Sequence, residues 1–301
     1  ESDLNKLTQL CLNLCSKGVS IICITETNLH WKKNYLLQRF KKNLKKTWPS
    51  NKISFCVSES KIQFQSDFKP GGTAMIALNP ISSAITSKGQ DPWGMGRWTN
   101  LTILGKDLQQ TSIFNVYRAC NTPIESAGST TIVKQQWLLM QKTNRQQHPH
   151  KATIDDLIIE IKKKQKSKHE IIITMDGNEE FTSSKGGIAK ICRECKIYDV
   201  FSQRFKNNKL PNTHIKGSKR IDYILCSFNI LKSINSSGMT AFGDLVTSDH
   251  RGLYIDLPIE SISKPHQPDI NQHFQRTLNH LVLGLSESIR NTLKRKLQSV
   301  R

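Results

Sequence analysis

The part of the chain that most constrains the fold is a run of mostly branched apolar residues that ends in two polar side chains. Three isoleucines, a threonine and a methionine occupy positions 171–175, and Asp176, Gly177 and Asn178 follow them. Such a run, closed by Asp and Gly, predicts a strand that is buried on both faces. Side chains two positions apart on a strand point the same way, so Asp176 and Asn178 are placed to contact one ligand at a rim of the sheet. Read alone, the same residues also fit an ordinary turn.

The net charge predicts a polyanionic partner. The 301 residues contain 44 Lys and Arg against 24 Asp and Glu, which gives a formal net charge of +20. A basic protein gains affinity for nucleic acid because it releases counterions from the phosphates. The sequence shows no apolar run long enough to span a membrane and no signal peptide, which predicts an intracellular protein without a membrane partner.

Two segments, 32–46 and 204–220, are rich in Lys and Arg and contain no acidic residue. The first is interleaved with aromatic residues such as Tyr35 and Phe40, which fits two structures about equally well. One is a phosphate-contacting segment with apolar anchors, and the other is a solvated helix face packed by its aromatics. The second segment contains Pro211 and Gly217 and predicts a loop.

The cysteines do not form a recognisable framework. Eight of them are scattered along the chain and several lie in apolar segments, which predicts buried, reduced thiols. Cys192 and Cys195 form a single CxxC without a second pair at zinc-ribbon spacing, so a structural helix is favoured over a metal site.

Helical and strand patterns alternate through residues 1–258, which predicts one α/β domain there. Helices are expected around 4–15, 132–140, 154–161 and 188–195. Strands are expected at 19–24, 53–57, 74–78, 98–104, 111–116, 170–175, 198–201, 220–225 and 253–257. Residues 259–301 are predicted to be a linker and an amphipathic helix. The apolar stripe at 274–301 would dock on its own domain, bind a partner or begin a truncated region.

Other predicted strands end in polar residues as the strand at 170–175 does. Glu26 follows the strand 19–24, Tyr117 follows 111–116, and Asp222 lies inside an apolar run. Asp249 and His250 stand just before the last strand. Carboxylates, a histidine and hydrogen-bond donors are what metal-assisted phosphodiester hydrolysis needs, because charge develops on the phosphate and a base must activate water.

The motifs resemble those of one known superfamily in their order and approximate spacing. They are Thr25-Glu26-Thr27, Val116-Tyr117-Arg118, Met175-Asp176-Gly177-Asn178, Arg220-Ile221-Asp222-Tyr223-Ile224-Leu225 and Ser248-Asp249-His250. Together they resemble the endonuclease/exonuclease/phosphatase superfamily, whose fold is called DNase I-like. Gly71 and Gly72 before a strand, and the segment from Thr213 to Tyr223, are most similar to the apurinic-type endonuclease domains of non-LTR retrotransposons.

The resemblance implies an α/β fold arranged as a four-layer α/β/β/α sandwich, with the site at one rim of two packed sheets. By motif position, Glu26 would bind Mg²⁺, or Mn²⁺ in its place, and Asp249 would assist. Asn178 and Tyr117 would hold the phosphate.

The resemblance also implies the groups that move protons. Asp176 would handle proton transfer at the attacking water or the leaving oxygen. Asp222 would orient His250, which would serve as acid/base or as a phosphate donor. Whether Asp176 or His250 is the base stays open at this stage.

Two positions depart from the superfamily. Its first strand carries an Asn that helps the metal site, and nothing before the opening helix of this chain supplies it, so we expect that strand to be missing. The superfamily also has an aromatic residue where this chain has Gly177, which predicts a looser loop.

The sequence therefore predicts a Mg²⁺-dependent DNA endonuclease of the retrotransposon type, located in the nucleus. Two alternatives remain. The first is a catalytically degenerate domain that only binds nucleic acid, and the second is a phosphatase of small phosphoesters in the same superfamily.

Overall fold

The computed structural model describes residues 3–105, 108–181, 186–206 and 209–258. The linker and amphipathic helix expected at 259–301 lie outside these ranges and stay predictions. The helices of the described part are α1 (Asp3–Cys15), α2 (Asn34–Thr47), α3 (Ile81–Ala84), α4 (Ile132–Gln141), α5 (Pro149–Lys166), α6 (Gly187–Cys195), α7 (Val200–Arg204) and α8 (Phe228–Ser233). Its strands are β1 (Ile21–Thr25), β2 (Ser54–Ser58), β3 (Thr73–Ala77), β4 (Ile85–Gln90), β5 (Trp98–Leu104), β6 (Gln110–Tyr117), β7 (Glu170–Asp176), β8 (Tyr198–Asp199), β9 (Asp222–Cys226), β10 (Ser236–Met239) and β11 (Leu253–Asp256).

The run of isoleucines forms β7, a central strand of the larger sheet. Alternate side chains of a strand point to opposite faces, and here both faces are buried. Ile171 and Ile173 pack in one hydrophobic cluster, and Ile172 packs in another on the opposite face. The prediction of a strand buried on both sides is therefore confirmed, and the rim where β7 ends is rigidly supported.

The larger sheet has six strands in the order β4-β5-β6-β7-β9-β8. Only β6 and β7 pair in parallel, and the other neighbours are antiparallel. A parallel pair needs a long crossover, which here contains α4 and α5. The crossover brings the ends of β6 and β7 to the same rim of the sheet.

The two larger sheets pack face to face. The smaller one has three antiparallel strands in the order β1-β3-β2. Met75 and Ala77 of this sheet lie in one core with Leu101 and Ile172 of the larger sheet. The Asn115 side chain of β6 also donates to main-chain oxygens of the smaller sheet, at 2.8 and 3.0 Å.

Helices cover the two outer faces. On the smaller sheet, α1 and α2 share a hydrophobic cluster with β1 and β3. On the larger sheet, α5 and α6 share one with β5, β6 and β7. The layers therefore run α/β/β/α, which confirms the predicted DNase I-like sandwich.

The prediction of a strand at 198–201 is wrong in its second half. Strand β8 stops after two residues, and Val200 begins helix α7. The cause is Asp199, whose carboxylate accepts a hydrogen bond from the Ser202 N–H at 3.4 Å and caps the helix. Four further elements, α3, β4, α8 and β10, were not predicted.

The cysteines differ in their exposure to solvent. All eight cysteines are free, and two of them, Cys15 and Cys120, are exposed rather than buried. The CxxC lies in α6, as predicted.

Helix α2 covers most of the first basic segment. Its Phe40 is buried and its Tyr35 is exposed, so only some of the aromatic residues of this segment pack against the domain. No helix in the described ranges is long and apolar enough to cross a membrane.

Candidate active site

Three of the predicted site residues form a row across neighbouring strands. Tyr117 of β6 pairs with Asp176 of β7, and Asp176 pairs with Asp222 of β9. These residues are far apart in sequence, but the register places them side by side at one rim. Glu26 follows β1 at the same rim, because the Tyr117 hydroxyl donates to its Oε1 at 2.8 Å.

A cavity of 310 Å³ opens beside this row. Its lining includes Glu26, Asn28, Asp176, Asp249 and His250. Carboxylates from β1, from β7 and from the loop before β11 thus face one space, although they are separated by as many as 223 positions in the sequence. The wall of the cavity also contains apolar residues such as Leu7, Leu10 and Leu245, so it is partly polar and partly apolar.

His250 is held by Asp222 and carries a positive charge at neutral pH. The Nδ1 atom of His250 donates to the Asp222 carboxylate at 2.9 Å. Burial opposes the charged ring, but the hydrogen bond and charge of Asp222, with Asp176 and Asp249, outweigh it and raise the pKa of His250 to about 9. The Nε2 atom of the ring is left to act as a donor in the cavity.

Asp176 is buried and surrounded by other acids. Burial raises the pKa of its carboxyl well above its ordinary value, and the nearby charge of Asp222 raises it further. The charge of His250 and a hydrogen bond from the Asn178 N–H, at 3.1 Å, act in the opposite direction. Asp176 therefore binds a proton more readily than an exposed aspartate, which suits a group that exchanges protons with a substrate.

Tyr117 acts as a hydrogen-bond donor. Burial, followed by the charge of Glu26, raises the pKa of its hydroxyl, so the hydroxyl keeps its hydrogen. The hydrogen bond from the Tyr117 hydroxyl fixes the Glu26 carboxylate. The backbone of Glu26 has a φ of 50°, in the left-handed region. Such a conformation in a residue other than Gly persists only where surrounding contacts enforce it.

Gly71 and Gly72 supply those contacts. The φ of Asn28 is also positive, and its side-chain Oδ1 atom accepts a hydrogen bond from the Gly71 N–H at 2.9 Å. The N–H groups of Thr27 and Asn28 donate to the carbonyls of Gly72 and Gly71. A Cβ atom on Gly72 would lie 3.0 Å from the Thr27 Oγ1. The glycine pair thus supports the Glu26 loop, a role that the sequence alone did not reveal.

Asn178 is fixed by the loop that follows Tyr117. Its φ is 49°, and its Nδ2 donates to the Arg118 carbonyl at 2.7 Å. The next residue, Glu179, forms an ion pair of 2.7 Å with the buried Arg118 guanidinium. Burial opposes the charged carboxylate, but the hydrogen bond with His150 and the charge of Arg118 lower the pKa of Glu179 to about 2. Sequence reasoning missed this support because Glu179 lies outside any apolar pattern.

Asp249 is exposed and has an unexpected partner. Its carboxylate lies 3.4 Å from the Nε2 atom of His214, which belongs to the second basic segment. The rings of His214 and His250 are 5.0 Å apart and nearly perpendicular. His214 was missed because a lone histidine in a polar loop carries no periodic signal.

A divalent cation fits the donor set at this rim. Neighbouring carboxylates repel one another: after burial, the charge of Asp222 is the next cause of the raised pKa of Asp176. A cation would relieve that repulsion. Carboxylate oxygens are also the ligands that Mg²⁺ prefers. Among described residues, two groups of three acid or imidazole side chains have ligand atoms within 4.8 Å of one another. These groups are Asp176, Asp222 and His250, and His214, Asp249 and His250. Glu26 belongs to neither, so its metal-binding role stays a prediction.

Comparison with known proteins supports the fold. No family model matches the sequence, and no curated protein matches it either. Among solved structures, the chain is similar to an AP endonuclease from Leishmania major, with a TM-score of 0.60, 12% identity and coverage of 84% of this chain and 83% of that one. It is also similar to the APE2 catalytic domain of Xenopus laevis, with a TM-score of 0.55, 16% identity and coverage of 86% and 91%. A 3′–5′ exonuclease from Neisseria meningitidis matches with a TM-score of 0.55, 13% identity and coverage of 84% and 95%. At these identities the likeness concerns the fold alone, and it confirms the predicted DNase I-like fold.

Proposed function

We propose that this chain is a Mg²⁺-dependent phosphodiester hydrolase that nicks DNA as an endonuclease. The observation that carries the proposal is the row of Tyr117, Asp176 and Asp222, with His250 bound to Asp222 and Glu26 bound to Tyr117. It joins proton-exchanging groups, a hydrogen-bond donor and carboxylates at one rim of the sheet.

Asp176 and His250 divide the proton transfers between them. His250 carries its charge at neutral pH, so it serves as a donor to a phosphate oxygen rather than as a base. Asp176, whose pKa is raised by burial, takes the proton of the attacking water. Asp222 keeps the His250 ring in one orientation, in the way that a buried aspartate orients other catalytic histidines.

Tyr117, Glu26 and Asn178 act on the phosphate and on the metal. Tyr117 and Asn178 are the donors proposed to hold nonbridging oxygens, for which the single Tyr117 hydrogen would turn from Glu26 to the phosphate. Glu26, with Asp249, is proposed to bind Mg²⁺ or Mn²⁺. The cation would offset the charge that develops on the phosphate.

Two observations favour a long polyanion as the substrate. The formal charge is +20, and the second basic segment borders the site, since His214 pairs with His250 as an isolated antiparallel bridge. Lys216 of this segment is exposed, where a lysine is free to contact a DNA backbone. A retrotransposon origin and a nuclear location are the narrower form of this proposal. The sequence motifs support the retrotransposon origin, and a nuclear location would follow from a DNA substrate.

Plasmid nicking tests the proposal. Purified protein is incubated with supercoiled plasmid and Mg²⁺, Mn²⁺ or EDTA, and the relaxed form is measured with time. The wild type should nick in either metal and not in EDTA. Asp176→Asn should lose about 10²–10⁴-fold in rate, the usual contribution of a positioned acid or base. Glu160→Gln makes the same change of charge on the α5 surface, where Glu160 pairs with Lys163, and should nick normally.

Each of the other outcomes would support a different conclusion about the function. Equal nicking by the wild type and Asp176→Asn would point to a contaminant and reject the proposal. Hydrolysis of inositol phosphates without nicking would favour a small-molecule phosphatase. Salt-dependent DNA binding that EDTA does not affect, without cleavage, would favour a binding domain that has lost catalysis.

A further inference from the structure

A second group of potential metal ligands borders the cavity, and it shares two residues with the proposed hydrolytic site. It joins His214 of the basic loop to Asp249 and His250. The two segments are locked together, because His214 and His250 form an isolated β-bridge and the Ile215 N–H donates to the Asp249 carbonyl at 2.8 Å. The side chains are therefore brought together by the backbone and not by chance contact of long side chains.

The spacing of the donor atoms is that of a metal site. A cation bound at about 2.0–2.1 Å by imidazole nitrogen and carboxylate oxygen in tetrahedral geometry keeps its ligand atoms about 3.4 Å apart. The Nε2 atom of His214 and the Oδ2 atom of Asp249 are 3.4 Å apart. Ligand atoms of all three side chains lie within 4.8 Å of one another. The site is partly exposed, so a water molecule can complete the coordination.

The orientation of His250 gives a second, independent indication. Its Nδ1 donates to Asp222 at 2.9 Å, so that Nε2 is the nitrogen left for a ligand. Metal-binding histidines are typically held in this way by a carboxylate on the other nitrogen. On His214, the Lys216 N–H lies 3.3 Å from Nδ1. Binding through Nε2 moves the ring hydrogen to Nδ1 and gives up this long contact, and water can replace it because Lys216 is exposed.

We propose that His214, Asp249 and His250 bind a divalent cation of the zinc class, and that this cation inhibits the hydrolysis by occupying the Nε2 atom of His250. The inhibitory part rests on the proposed function, whereas the binding part does not. Two imidazoles and one carboxylate favour Zn²⁺ or Co²⁺ over Mg²⁺, which prefers oxygen. Mg²⁺ would compete with this cation for the Asp249 carboxylate, which both proposed sites share, but not for the two imidazoles.

Binding is tested on the full chain without DNA. Zn²⁺ is titrated by calorimetry at about pH 8, and binding at His250 is expected to release the proton of its Nε2 atom to the buffer. Co²⁺ is titrated in parallel by visible absorption. The expected spectrum is that of a nitrogen and oxygen site without thiolate charge-transfer bands, which separates it from binding to the exposed thiols. In His214→Gln, the affinity for Zn²⁺ should fall by about tenfold or more, since the loss of a residue that only hydrogen-bonds to a metal ligand already costs about 10–100-fold.

His169→Gln is the matched control, because His169 contacts Ser112 and lies outside both groups of potential ligands. Its affinity for Zn²⁺ should equal that of the wild type. The site is rejected if His214→Gln binds Zn²⁺ and Co²⁺ as the wild type does, or if the Co²⁺ spectrum shows thiolate bands only.

Inhibition is tested by nicking at constant Mg²⁺ with increasing Zn²⁺. Each variant is compared with its own rate without Zn²⁺, and the half-inhibitory concentration should rise about tenfold or more in His214→Gln and not in His169→Gln. Equal inhibition of the three proteins would refute the inhibitory role. If no protein nicks at all, the proposed function fails, and the titrations still decide whether the metal site exists.

Discussion

The strongest prediction concerns the charge of His250 and its dependence on Asp222. In Asp222→Asn the side chain keeps its size, but the negative charge beside Nδ1 is lost. The largest influence on the ring is burial, which disfavours its charged form, and the hydrogen bond and charge of Asp222 are the next largest. Without them, burial is opposed only by Asp176 and Asp249. The pKa of His250 should therefore fall from about 9 to its ordinary value of 6.5 or below.

The magnitude follows from the same values. The separation between a pKa of about 9 and one of 6.5 corresponds to roughly 3 kcal/mol between the charged and neutral ring. The pKa is raised on folding, so this stabilisation is fully present below pH 6.5 and is lost as the pH rises through about 9. The free energy of unfolding of the wild type should exceed that of Asp222→Asn by about 2–3 kcal/mol more at pH 6 than at pH 10.

Two measurements in EDTA test this prediction. NMR titration of the His250 ring protons gives its pKa in both proteins, and urea denaturation at low and high pH gives the free energies. His169→Gln can serve to assign a second imidazole signal. An unchanged pKa of His250 in Asp222→Asn, or a stability difference that grows toward high pH, would refute the coupling of these two side chains.

Three further predictions concern the support of the site. Glu179→Gln should lower the free energy of unfolding by about 2 kcal/mol at neutral pH. Because the pKa of Glu179 is lowered in the folded state, this difference should vanish as the pH falls from 4.5 towards 2, which urea denaturation across that range measures. Gly187→Ala should lower the free energy of unfolding by about 1–3 kcal/mol, because the φ of Gly187 is 55° and a Cβ there would collide with the Glu179 carboxylate. Gly186→Ala, where the added Cβ meets open space, should leave the free energy of unfolding nearly unchanged in the same assay. Tyr117→Phe should reduce nicking about 10–100-fold, since it removes one donor, and should lower the free energy of unfolding by about 1–2 kcal/mol through the lost hydrogen bond to Glu26. A normal rate would exclude the hydroxyl from catalysis.

Much of the sandwich could be predicted because its central strands are patterned by burial alone. Strand β7 has branched side chains on both faces, and each face meets its own hydrophobic cluster. The same logic found β1, β5 and β6. Strand β4 was missed because most of its side chains are exposed or half-buried, so its place in the sheet depends on pairing with β5 and not on its own residues.

The candidate site was predictable only where a polar residue interrupts or ends such a strand. Asp176, Tyr117 and Asp222 carry that signal, and the structure brings them side by side through the register. His214 and Glu179 carry none. Their partners are chosen by the path of a loop, which local periodicity does not encode.

Gly177 shows why a single departure from a family pattern is an unreliable guide to a site. The sequence predicts a looser loop where the superfamily has an aromatic residue, but here another element occupies the adjoining space. A Cβ on Gly177 would lie only 2.6 Å from the Cδ1 atom of Ile188, in the first turn of α6. The Gly177 N–H also donates to the Ile221 carbonyl at 2.8 Å. Because interiors are filled to nearly constant density, volume lost at one position can be supplied by a residue from elsewhere in the chain. The loop between Asp176 and Asn178 is therefore packed and hydrogen-bonded, and the absence of the aromatic ring does not by itself argue against catalysis.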